Sequence, residues 1–194
     1  MTTESMYPVP ASPLKKAPVR ELLELAGVDV QEWAFTKDGD EIENPNDNIG
    51  RNTNWSFVGK GDEPTVLCVW YESVDWEANP PVYRGNEYLY QRELIDLAGT
   101  KRGKDGLSRL NAKIKQARQF HRAVYDAKSR ARIIKLILVD GEQVPVEESA
   151  ERSSKVKARR LDHAPWYVHE FDGISGDFLL VRGVAPVIDE TDPF

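Results

Sequence analysis

Residues 101–160 hold seventeen lysines and arginines against seven aspartates and glutamates, a local net charge of +10 in a chain of net charge −6. Cations at that density can neutralise phosphates. Confining them to one segment lets an otherwise acidic protein hold a polyanion on one face without clinging to it everywhere. Two stretches carry the charge. Arg102 and Lys104, in a glycine loop, lead into Arg109 and Lys113, while Arg152, Ser153, Lys155, Arg159 and Arg160 form a second basic stretch with hydroxyls. Such side chains hold the nucleic-acid backbone and set its position. Reading a base needs rings, and the chain has five Trp, seven Tyr and six Phe. Trp55, Phe57 and Trp70 are the candidates for a pocket that sandwiches an extruded base. The competing explanations are a solvated helix face for the charges and core packing for the rings.

Catalytic signatures are sparse. Neither a GxxxxGKS/T nor a GxGxxG loop is present to cradle nucleotide phosphates. His121, His163 and His169 have no metal-ligand spacing, and the adjacent pair Asp162 and His163 has no serine in a nucleophile elbow to serve. His121 falls on an apolar helical stripe, as a core histidine does. Cys68 stands alone in an apolar run, which excludes a disulfide framework and a thiolate metal site. It reads as a buried structural thiol in a reducing, cytoplasmic compartment. Asp140 and Glu142, after a strand, come nearest to the acids of a metal-dependent nuclease, but no lysine follows in QVPV. The expectation is a binding module without catalytic residues, metal or cofactor. With no apolar run approaching ~20 residues, it has no membrane partner.

The positioning elements follow from periodicity. Leu110, Ile114, Ala117, His121 and Val124 recur at spacings of three and four, which predicts a long basic helix over 107–129. Shorter helices are predicted over 18–27, ended by Gly27, and from an Asn86 cap to Gly99. Strands are expected at 55–58, 65–71 and 132–140, the last covered on both faces. The turn signal DGISGD predicts a hairpin between 166–171 and 178–181. Residues 36–54, rich in Asp, Asn, Gly and Glu, read as a long loop, and 72–85 as irregular. The fold class is α+β: a single domain with a mixed or antiparallel sheet, one long basic helix and a C-terminal β-hairpin. A disordered arm is expected over 1–17, the domain over 18–188 and a frayed tail over 189–194.

The stretches WAF, NPN and NTNWSFV, then VLCVWYESV, RIIKLILVDG, SSKVKARRLD, PWYVHEFD and GDFLLVRG span about residues 19–183. Their types and order resemble the N-terminal specificity domains of HNH-type, McrA-like modification-dependent restriction endonucleases. That resemblance implies recognition of modified, methylated duplex DNA, in preference to RNA, in a restriction or defence setting. No paired-cysteine, His-rich HNH segment occurs in the chain, so it implies recognition without cleavage, with a separate nuclease subunit as a further partner. Two alternatives remain from the residues themselves. One is a protein-interaction or regulatory domain whose basic helix docks on an acidic partner; the other is a nuclease using Asp140 and Glu142.

Overall fold

Residues 7–100 and 103–187 are described by the computed structural model. Strand β5 (Ile134–Glu142) lies inside a seven-stranded sheet. Its side chains alternate, as a strand requires: Ile134, Leu136 and Leu138 enter one apolar layer, Ile137 and Val139 the other, all buried. Parallel to it runs β2 (Thr65–Trp70), outside which lies the two-residue β1 (Ser56–Phe57). On its other side come β6 (Lys155–Phe171), β7 (Asp177–Arg182), β4 (Val82–Asn86) and β3 (Val74–Asp75), all antiparallel. A parallel pair needs a long crossover. Here it contains β3, β4 and an α-hairpin of α3 (Glu87–Thr100) and α4 (Lys104–Ser129). The result is an α+β domain with a mixed sheet, as the periodicity predicted.

Helix α4 lays Phe120, Ala123, Val124 and Ala127 against Leu67, Leu136, Leu138 and Leu180 on one sheet face. The opposite face is covered by α1 (Val19–Ala26), whose Val19, Leu22 and Leu23 pack with Val66, Ile137 and Leu161. Gly27 ends α1 in the left-handed conformation at φ 91°, and the Asn86 carboxamide caps α3 by accepting from the Leu89 N–H at 2.9 Å.

Four expectations are corrected. First, the strand expected over 166–171 begins already at Lys155: β6 is one 17-residue strand, which pairs with β5 along its first part and with β7 along its last. Second, the strand expected to end at Asp140 continues to Glu142. A bulge at Gly141 (φ 151°) absorbs the register shift, and a Cβ there would stand 2.1 Å from the Lys155 carbonyl. Third, 72–85 contains β3 and β4, which Pro80 and Pro81 masked in the pattern. Finally, residues 7–17 are ordered against the body: Lys16 bridges Arg159 in β6, and Arg182 donates to the Tyr7 and Pro8 carbonyls. The expected tail over 189–194 lies outside the described residues.

The stretch 36–54 is built by asparagines. It holds a 3-10 turn (Pro45–Asp47) and the one-turn α2 (Ile49–Asn52). Buried Asn48 donates to the Trp33 and Phe35 carbonyls at 3.0 and 3.2 Å, and Asn52 donates to the Asn46 carbonyl at 2.6 Å. These amides satisfy the backbone locally, so the segment holds its shape with little to bury.

Candidate nucleic-acid interface

The outward side of α4 is basic from Lys104 to Arg122. Lys104, Lys115, Arg118 and Arg122 are exposed and have no hydrogen-bond or ion-pair partner among the described residues. At 3.6 residues per turn their side chains leave the helix within about 60° of one another, and they span about 27 Å along its axis. Ser108, Asn111 and Gln119, also exposed, stand beside them. Between Asp105 and Asp126 the helix has no acidic residue. Asp126 itself is held by Arg130 at 2.8 Å and Arg132 at 3.2 Å. Four aligned cations thus face solvent uncompensated.

The sequence candidates are distributed differently from the expectation. Lys104 stands on the ridge, and Arg102 lies outside the described residues. Arg109 and Lys113 turn off the ridge toward the segment before β6. The Arg109 guanidinium donates to the Ala150 and Glu151 carbonyls at 2.9 and 3.2 Å, and the Lys113 ammonium donates to the Ser149 hydroxyl at 2.8 Å. Burial pushes the Lys113 ammonium below the usual lysine range. These two cations tie α4 to residues 149–151. We therefore expect Arg109→Ala and Lys113→Ala to lower the melting temperature, while the salt dependence of nucleic-acid binding stays as in the parent. A lowered salt slope without any loss of stability would put them back in the interface.

The second basic stretch does not join the first in a clamp. Arg152 is neutralised by ion pairs with Glu142 and Glu148. Arg159 and Arg160 are consecutive in β6 and so leave opposite sheet faces. Arg159 pairs with Val139 on the α1 side, half-buried near the Ala17 carbonyl, whereas Arg160 pairs with Leu138 and donates to the Ala11 carbonyl at 3.0 Å. Both fasten the 7–17 segment. Ser153, two residues before β6, and Lys155, its first residue, are exposed. The proposed base pocket is also divided. Trp55 packs into the α4 layer, with its ring 6.1 Å from Tyr90, while Phe57 and Trp70 pack into the α1 layer, Phe57 lying 6.0 Å from Trp33. Three half-buried rings on two sides of a sheet make no shared slot.

Other chemistry stays structural. Burial pushes the Cys68 thiol up to about 12 and keeps it protonated. Asp140 is exposed, while the Glu142 carboxylate is engaged by Arg152. Among the described residues no three His, Cys, Asp or Glu side chains are grouped to hold a metal ion, and no helix is long and apolar enough to cross a membrane. What spacing could have revealed was the ridge: twenty residues without an acid, with Lys115, Arg118 and Arg122 opposite Leu110, Ala117 and Val124.

A pH signature comes from the inner end of the helix. His121 is buried, stacked on Tyr88 at 4.0 Å, and its Nδ1 has no hydrogen-bond partner among the described residues. Burial lowers its pKa, so protonation opposes folding and stability falls as pH drops below 6.5. Burial pushes the Glu87 carboxyl the other way, up to about 7, so its contribution falls as pH rises from 4.5 through 7. The two oppose each other in one window. Glu87→Gln should therefore expose the histidine effect as a steady loss of melting temperature from pH 7 to 5, and His121→Leu should remove that loss. A Glu87→Gln protein with a flat profile would contradict the assignment.

Set against family models, curated proteins and solved structures, the chain matches none of them.

Proposed function

We propose that the chain is a nucleic-acid-binding module that holds phosphates on the outward face of α4. One observation carries the reading: Lys104, Lys115, Arg118 and Arg122 share one exposed, acid-free face and have no partner among the described residues. Aligned cations of this kind cost self-repulsion in the free protein, and a polyanion relieves it. The net charge of −6 keeps the rest of the surface from competing for the same ligand. Discrimination of methylated from plain duplex DNA, implied by the resemblance, has no support in the divided rings and forms no part of the proposal.

A fluorescent oligonucleotide titrated across a salt series tests it. Releasing one counterion per neutralised phosphate gives log K against log salt a slope of about −0.7 to −0.9 for each contact, hence about −3 for this ridge. A flat line, or no binding at low salt, would overturn the proposal and leave an acidic protein as the partner to seek.

A further inference from the structure

We infer that the end of the α4 ridge carries a stacking platform for an unpaired nucleobase, centred on Tyr125, so that the ligand is single-stranded nucleic acid. The inference rests on the ridge being a phosphate contact. Tyr125 is 57% exposed although it is a large ring on a packed helix. It follows Arg122 by three residues and Arg118 by seven, spacings that put all three side chains on one strip of the helix surface. Its ring is not loose. The centroid lies 5.6 Å from that of Phe171, which lies 5.2 Å from His121, and His121 stacks on Tyr88 at 4.0 Å. A row of four rings thus runs from Tyr125 through Phe171 and the buried His121 to Tyr88, and gives the outermost ring a packed neighbour on its inner side. Preorganised aromatic surface beside guanidinium groups is what a base needs for stacking while its phosphates sit on the cations.

Charge beyond the rings argues for one strand. Past Phe171 an open cleft of about 640 Å³ is bordered by Glu170, Asp172 and Asp177, with Arg84 the sole cation among the described residues that line it. The ridge, one side chain wide, can follow a single backbone. A duplex laid on it would press its second backbone toward like charges on the protein, whereas a single strand can keep its phosphates on α4 and turn one base inward.

Affinities of a labelled twelve-nucleotide thymine strand and of a twelve-base-pair duplex, measured across a salt series, decide the matter. The parent protein should bind the single strand more tightly. Tyr125→Ala should weaken single-strand binding by about five- to a hundredfold, the range of one base–ring stack, with the salt slope unchanged. Tyr125→Phe should retain affinity. Tyr125→Leu keeps an apolar contact with Phe171 but no stacking face, and should lose affinity even if the alanine variant proves unstable. Equal binding by Tyr125→Leu and the parent, or tighter binding of the duplex, would overturn the platform and leave the ridge standing. Failure of the parent to bind either oligonucleotide would overturn the ridge, and the platform with it.

Discussion

Replacing Lys115, Arg118 and Arg122 together with glutamate should cut nucleic-acid affinity by about a hundredfold or more at ~0.1 M salt and reduce the salt slope by about 2 to 3. Each substitution removes a phosphate contact and puts a like charge in its place. All three side chains are exposed and have no partner among the described residues, so the fold has little to lose. Surface changes of this kind usually move stability by about 0.5 kcal/mol or less. Anisotropy titrations beside thermal melts separate the two effects. A folded triple variant that keeps parental affinity would place the ligand elsewhere, and one that binds weakly only because it has melted would leave the ridge unassigned.

The largest effect on stability belongs to a different pair. Asp162 and Arg182, in neighbouring strands, are 2% and 4% exposed. The carboxylate accepts from Arg182 Nε at 2.8 Å and Nη2 at 2.9 Å, from the Trp166 indole N–H at 2.8 Å and from the Ala164 N–H at 3.1 Å. Arg182 also donates to the Tyr7 and Pro8 carbonyls at 2.8 and 3.0 Å. Burial works against the ionised carboxyl, but the bonds from Arg182, Trp166 and Ala164 together outweigh it and hold its pKa below the usual 3.8. Asp162→Ala leaves a buried guanidinium with no counter-charge. The expected loss is about 3–5 kcal/mol, against a typical domain stability of about 5–15 kcal/mol, and urea denaturation at pH 7 measures it. The contribution is present above pH 3.8 and disappears as pH falls through the depressed pKa, so parent and variant should converge in acid. A loss under about 1 kcal/mol at neutral pH would mean that the pair is not the anchor its geometry implies.

Periodic elements were legible in the sequence because their burial pattern is local. The stripe from Leu110 to Val124 gave α4, and the leucine and isoleucine run gave β5 with both faces covered. What escaped depended on partners distant in sequence. Arg109 and Arg118 look alike in the chain, yet one reaches the Ala150 carbonyl forty-one residues away and the other meets solvent. Arg159 and Arg160 read as one basic dipeptide until the pleat sends them to opposite faces. Asp162 was set aside for its neighbour His163, whereas its true partner lies twenty residues on, in β7. The polar stretch 36–54 had too little apolar content to signal order, and its asparagine bonds leave no periodic trace. For the site, composition located the basic segment, and only the helix surface distinguished free cations from structural ones.

Lysine acylation footprinting with and without a short oligonucleotide addresses the ridge most directly. Lys104 and Lys115 are exposed on it, whereas Lys60, in the turn after β1, is bound to Glu32 at 2.6 Å. Bound nucleic acid should slow acylation of Lys104 and Lys115 several-fold, an effect that added salt reverses, and leave Lys60 unchanged. Protection of Lys60 with Lys115 still fully reactive, under conditions where the oligonucleotide is bound, would contradict a phosphate-binding face on α4.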